Sequence, residues 1–383
     1  MNANYFFVFS MTILLMGCND KYSKTVYDPN DAEEIELNHQ TSDIKITPLF
    51  CSEPMDGILQ AKLYKDYLFL LGDKREHVYC IKNDSVISIL NNKGRGHGEY
   101  TFIRDMAYDE TNSVLYVKAE NVILKYRVPS MSYLGELEAN YTTSGMLVLN
   151  PDELLVHCNF WEDESCKNLY EGLCVVSTKT GEIIRRCYMF NYYEGSCLRL
   201  QDFLQDNNKI LVPRNGMYNN SIISLDPSNG HIEELKTFSY STEWRLSKDL
   251  IKYLKKGNYL EYANEESERN KKCDGCHKPA IINSRLTCWC YPKTGNSKSI
   301  PTVMIFDNDR IISRHFKVSG TNLYVNCFYL EDNHCVQLID GDPELFITDP
   351  DALTDFGKEI YSTLKKQNYN NPILMSFTID KGL

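Results

Sequence analysis

From Ala61 onward the chain is a series of short apolar runs separated by turn chemistry. Tyr67-Leu-Phe-Leu-Leu71 leads into Gly72-Asp73, His77-Val-Tyr-Cys-Ile81 into Lys82-Asn-Asp84, and Ser85-Val-Ile-Ser-Ile-Leu90 into a glycine-rich stretch. Short apolar runs bounded by Gly, Asn and Asp predict β-strands rather than helices. The plan then recurs: Val114-Leu-Tyr-Val117 and Val122-Ile-Leu-Lys-Tyr126 form a second unit, Gly145 to Ile184 a third, and Leu198 to Leu235 a fourth, the last with a hairpin turn at Asp226-Pro-Ser-Asn-Gly230. Units starting near residues 61, 103, 146 and 198 give a period of roughly 40 to 50 residues, the length of a four-stranded propeller blade.

The regularity breaks at Ser247 to Lys272, a charged and helix-compatible stretch with Leu250, Ile251 and Leu254 at helical spacing and Gly257-Asn258 interrupting it. It reads as an insertion between blades, followed by a loop-like, cysteine-rich stretch to Ser299. Strands resume at Thr302-Val-Met-Ile-Phe306. Near the end, Leu353, Phe356, Ile360 and Leu364 fall on one face of a short helix, with Asp349 or Asp351 as its cap. Asn371 to Ile379 returns to strand character, and Asp43 to Leu49 is its natural partner in one composite blade that closes the ring. The prediction is an all-β, six-bladed propeller over residues 41–383 with an insertion at about 245–300, where a degenerate seventh blade remains open.

The first residues follow another pattern. Tyr5 to Met16 is an uncharged apolar run of 12 residues, too short for the roughly 20 that span a bilayer as a helix, and reads as a signal-peptide core. Its end, Leu15-Met16-Gly17-Cys18, resembles the lipobox of bacterial lipoproteins, in which the cysteine is acylated and becomes the first mature residue. That resemblance implies residues 1–17 as signal peptide, Cys18 as the lipidation site, and a membrane partner through the anchor. Polar residues 18–40 read as a flexible tether.

With the lipobox, Gly94-Arg-Gly-His-Gly-Glu-Tyr100, Met106-Ala-Tyr-Asp109 and Asn371-Pro-Ile-Leu-Met-Ser-Phe377 taken together, the chain resembles the six-bladed β-propeller lipoproteins of Bacteroidetes, similar in shape to TolB-like and NHL-type propellers. The resemblance implies a lipid-anchored cell-envelope protein, outer membrane and facing periplasm or surface, and carries over no catalytic residues. A monomeric binding or scaffold module for a protein, peptide or glycan is the reading that follows. The alternative is a propeller lyase or hydrolase, or a redox protein.

Charge narrows the partners. With 41 Lys and Arg against 52 Asp and Glu, the net charge of −11 argues against a nucleic-acid backbone or an anionic membrane surface as the partner. No Gly-x-Ser-x-Gly elbow and no His-Glu-x-x-His pair occurs. Arg95, His97 and Glu99 alternate with glycines, so an extended segment would place them on one face at the mouth of the central channel. The simpler reading is an Arg95–Glu99 pair that fixes the crossover.

Fourteen cysteines are many for an exported chain. Cys273-Asp-Gly-Cys-His277 with Cys288-Trp-Cys290 allows three chemistries. Cys273, Cys276 and His277 match the attachment sequence for haem c. Cys273, Cys276, Cys288 and Cys290 could close a zinc knuckle. Disulfides stapling a long loop are the plainest expectation, and no cofactor is then required.

Overall fold

A computed structural model describes residues 25–38, 43–139, 141–161, 169–191, 196–198, 204–206, 209–216, 220–241, 271–273, 276–294, 300–326, 329–331, 334–339, 347, 349–367 and 371–378. The expected helical stretch 247–272 lies almost wholly outside these residues. Three strands precede the repeats: β1 (Val26–Tyr27), β2 (Glu33–Leu37) and β3 (Lys45–Pro48). Blade 1 is β4 (Ile58–Leu63), β5 (Leu68–Gly72), β6 (Val78–Lys82) and β7 (Ser85–Leu90). Blade 2 is β8 (Asp105–Asp109), β9 (Val114–Lys118), β10 (Val122–Arg127) and β11 (Ser132–Glu138). Blade 3 comprises β12 (Thr142–Asn150), β13 (Glu153–Trp161), β14 (Leu169–Ser177) and β15 (Ile183–Asn191).

In blade 4 the first strand is in two pieces, β16 (Ser196–Leu198) and β17 (Leu204–Asp206), both paired with β18 (Lys209–Gly216); β19 (Asn220–Asp226) and β20 (His231–Tyr240) complete it. A small ladder joins β21 (Lys271–Cys273) to β24 (Pro292–Thr294). Blade 5 is β22 (His277–Ile282), β23 (Arg285–Cys290), β25 (Thr302–Asp307) and β26 (Arg310–Val318). Blade 6 is composite: β27 (Tyr329–Glu331), β28 (His334–Ile339) and β29 (Ile373–Thr378) come from the C-terminal end, and β3 supplies the outermost strand. The register Ile373↔Pro48 through Ser376↔Lys45 is the closure expected from the two chain ends.

Two expectations are corrected. The cysteine-rich stretch is no loop, because 277–282 and 285–290 are the first two strands of blade 5. The tether is also shorter than 18–40. Strands β1 and β2 add, in parallel, to the outer edges of blades 4 and 5, with Val26↔Ser239 and Glu33↔Arg314 starting the registers. Glu33-Glu-Ile-Glu-Leu37 has its apolar residues two apart, so Ile35 and Leu37 share one face, and Leu37 is buried between blades 5 and 6. Its charge disguised a strand as a polar linker. Tyr27 does the same between blades 4 and 5, at 2% exposure among Phe238, Tyr240 and Met304.

The core is distributed as interfaces between neighbouring blades. Phe69, Leu71, Met106, Leu115 and Tyr126 fill the joint of blades 1 and 2, whereas Ala107, Tyr116, Leu154 and Val156 fill that of blades 2 and 3. Each blade buries both faces of its middle strands, so β5 and β9 read as continuous apolar runs. Helix α1 (Asp355–Lys366) buries Phe356, Ile360 and Leu364 against blades 5 and 6, as its spacing predicted. Its cap is Thr354, whose hydroxyl accepts from the Gly357 amide; Asp349 caps the preceding 3-10 turn instead.

Candidate functional site

Strands alternate direction within a blade, so the start of every first strand and the end of every second strand lie at one end of the ring, here termed the upper face. First strands of successive blades, β8 and β12 or β22 and β27, lie against each other around the axis. Side chains on them define the axial lining.

Three of these strands are tied by one buried polar group. Asp105 on β8 is fully buried and accepts from Gln60 Nε2 at 2.8 Å, from Lys62 Nζ at 2.8 Å and from the Met146 amide at 2.5 Å. Lys62 also donates to the Met106 carbonyl at 2.5 Å and the Met146 carbonyl at 3.2 Å. An ammonium has three donors, and these acceptors use all of them. Among the described residues the side-chain oxygen of Gln60 finds no hydrogen-bond donor in this otherwise saturated cluster. The group therefore clamps blades 1, 2 and 3 at the axis. The sequence carried a usable trace of it: Lys62 and Asp105 are charges placed inside or at the edge of apolar strand patterns.

A second cluster crowns blade 1 on the upper face. His77 Nδ1 and Asp56 Oδ2 are 2.6 Å apart, Lys74 Nζ lies 3.6 Å from the other Asp56 oxygen, and the Asp56 amide donates to the Tyr79 hydroxyl at 2.9 Å. The hydrogen bond from His77 holds the Asp56 carboxyl below its ordinary range, against the opposing effect of burial. Gly57 and Gly72 leave room for this group: a Cβ on Gly57 would stand 2.8 Å from an Asp73 carboxylate oxygen, and one on Gly72 would stand 3.2 Å from Asp56. Nothing in the local sequence pattern paired Asp56 with His77, since the contact spans two strand ends.

Arg95, His97 and Glu99 do not line the channel. The loop that carries them folds over the outer part of blade 2: His97 packs edge-on to Tyr133 of β11, the outermost strand, at 4.9 Å, and the Gly98 carbonyl accepts from Tyr126. Glu99 accepts from the Gly96 amide at 2.7 Å, so its partner is backbone in place of the Arg95 expected. The glycines have three separate reasons. A Cβ on Gly94 would overlap the Glu99 carboxylate, Gly96 brings its amide to that same carboxylate, and Gly98 sits at φ +72° with Tyr133 2.9 Å from where a Cβ would be. Tyr100 closes the loop by donating to the Glu76 carbonyl at 2.8 Å, and burial pushes its hydroxyl up to about 12.

The cysteine group is also reassigned. Cys276, Cys288 and Cys290 are buried in the joint of blades 4 and 5, within the core of the ring and not on a long loop that a staple would close. Cys-x-Cys here is a strand pattern, since alternate residues of β23 share a face. Cys276 Sγ donates to the Ser221 carbonyl and Cys290 Sγ to the Tyr27 hydroxyl, each at 3.6 Å. His277 packs edge-on to Tyr291 at 4.9 Å. Among the described residues no three His, Cys, Asp or Glu side chains converge as a metal site. The side chain of Cys273 and all of Cys18 lie outside the described residues.

A ring of six four-stranded blades, closed by strands from both ends of the chain, defines a six-bladed β-propeller. The chain belongs to the six-bladed β-propeller family DUF5128, whose profile matches residues 20–274. Among solved structures it is similar to a protein of Bacteroides fragilis NCTC 9343 described as a candidate exported protein, with 15% identity, a TM-score of 0.65, and coverage of 91% of this chain and 99% of that one. A DUF4221 family member from Bacteroides vulgatus ATCC 8482 aligns at 10% identity and a TM-score of 0.48 over 88% of this chain and 96% of its own. At these identities the likeness concerns the fold alone. No curated protein matches the chain significantly.

Proposed function

We propose that the chain is an exported, lipid-anchored propeller of the bacterial cell envelope that binds a protein, peptide or glycan on its upper face and acts as a binding or scaffold module. The observation that carries the address is the apolar run Tyr5 to Met16 ending in Leu15-Met16-Gly17-Cys18. The description of the Bacteroides fragilis relative as a candidate exported protein agrees with it. Binding is favoured over catalysis because the buried axial charges Lys62 and Asp105 are spent on each other and on backbone. Asp56, Asp73, Lys74 and His77 instead crowd the upper end of blade 1, a mixed-charge surface suited to a polar ligand.

One feature favours the enzymatic alternative. With Nδ1 on Asp56, His77 is oriented as a general base would be.

Mass spectrometry of the membrane fraction tests the anchor: acylated Cys18 is expected, and a Cys18→Ser chain should be recovered soluble. Arrays of glycans and peptides test the binding role. Ligand capture that is lost in His77→Ala with unchanged folding supports the upper face, and capture that survives this substitution moves the site elsewhere. An absorption spectrum lacking a Soret band removes the haem alternative.

A further inference from the structure

We infer that the rim of the propeller at blades 4 and 5 faces the lipid bilayer and that the opposite rim, at blades 1 and 2, points away from it. The inference rests on acylation of Cys18 and adds the orientation that the anchor imposes on the body.

The chain is fixed to the rim almost as soon as it leaves the lipidation site. Strand β1 pairs in parallel with β20, the Thr25 carbonyl accepts from the Ser239 amide at 3.0 Å, and the Tyr27 carbonyl accepts from the Ser241 amide at 2.7 Å. Tyr27 is buried between blades 4 and 5, with its ring centroid 5.9 Å from that of Tyr240. The strap then continues along blade 5 as β2, where Glu33 meets Arg314 at 3.1 Å, and enters blade 6 as β3. Three consecutive outer edges are therefore laced by the residues that follow the anchor.

Length sets the limit. From Cys18 to Val26 the chain advances eight residues, which reach at most about 28 Å when fully extended. A folded body of this size has a radius of gyration of roughly 21 Å and measures about 50 Å across. In a ring of six, blade 1 stands opposite blade 4 and blade 2 opposite blade 5. Bringing the rim of blade 1 to the membrane edge-on would lift β1 about 50 Å above it, beyond what the linker spans.

Electrostatics selects among the orientations that remain. The chain carries a net charge of −11, whereas on the strap Glu33 is paired with Arg314 and Glu34 with Lys317. Repulsion between a negative body and anionic lipid drives the centre of mass away from the surface to the limit of the tether, which leaves the attachment rim nearest the bilayer and the opposite rim farthest from it. The anchor holds the body to the bilayer across a hydrated gap, and the upper face is left open to the medium.

The test uses the full acylated chain in vesicles containing headgroup-labelled acceptor lipid, with a fluorescent unnatural amino acid replacing either Asp31 beside β2 or Ile87 on β7. Both positions are exposed. Energy transfer from position 31 is expected to be several-fold stronger than from position 87, and to fall to near parity when a long Gly/Ser segment is inserted after Lys24. Equal transfer from both positions without the insert overturns the orientation. A contrast that persists with the insert also overturns it, because the rim would then hold lipid without help from the linker. Protein that stays in the supernatant, unacylated by mass, fails the anchor itself and is told apart from both results.

Discussion

Removing the Asp105 carboxylate is the most direct test of how the ring is held at its axis. In Asp105→Ala, Gln60 Nε2 and the Met146 amide lose their acceptor, and the Lys62 ammonium keeps only two carbonyls. Asp105 is fully buried and the Lys62 side chain is 16% exposed, so water reaches little of the exposed charge. Leaving one partner of a buried, hydrogen-bonded pair costs about 3 to 5 kcal/mol. Unfolding entropy of about 2.1 cal/mol/K per residue over 383 residues gives roughly 0.8 kcal/mol/K, so Tm should fall by about 4 to 6 °C. Thermal unfolding followed by near-UV circular dichroism is the assay. A double-mutant cycle of Asp105→Leu with Lys62→Met separates the pair from simple loss of packing: the double mutant should recover much of the loss seen in Asp105→Leu alone, since apolar replacement of a whole buried pair is often neutral. A drop in Tm of less than about 1 °C for Asp105→Ala, or additive effects in the cycle, would refute the clamp.

Stability should also fall in mild acid through His157. Burial drives its imidazole from 6.5 down to about 3, so protonation below pH 6.5 favours the unfolded chain and stability declines as pH drops; between pH 7 and pH 5 this amounts to about 2 kcal/mol, measured as the part of the urea-midpoint shift that His157→Phe removes. Tyr27→Ala should cost roughly 3 kcal/mol by emptying the joint of blades 4 and 5 and accelerate hydrogen exchange at the Ser239 and Ser241 amides, whereas Tyr27→Phe, which keeps the ring and loses the hydroxyl that accepts from Cys290 Sγ, should cost about 1 kcal/mol; unchanged exchange in Tyr27→Ala would mean the strap does not depend on this side chain. Gly98→Ala should destabilise by about 1 to 2 kcal/mol from the left-handed backbone alone, with a further loss from the clash with Tyr133, read as a lowered denaturation midpoint; a neutral result would show that the loop relaxes freely.

Local sequence determined a large part of this protein: the strand runs, their period, the terminal pairing of 45–48 with 373–376, the face of the C-terminal helix and the apolar run Tyr5 to Met16. These follow from short-range chemistry, because strand propensity, turn residues and helical spacing act over a few positions. Tertiary structure alone decided what the charged and sulfur-bearing residues do. Glu33 to Leu37 became an edge strand because blade 5 offered an unpaired outer edge, and the Cys288 and Cys290 thiols entered a core because their strand faces blade 4. The Glu99 carboxylate met a backbone amide because the loop turned outward over Tyr133. Lys62 meets Asp105, and Asp56 meets His77, across strands whose separation in space is set by ring closure. A polar side chain's role depends on which partner arrives beside it, and that is fixed only when distant segments pack.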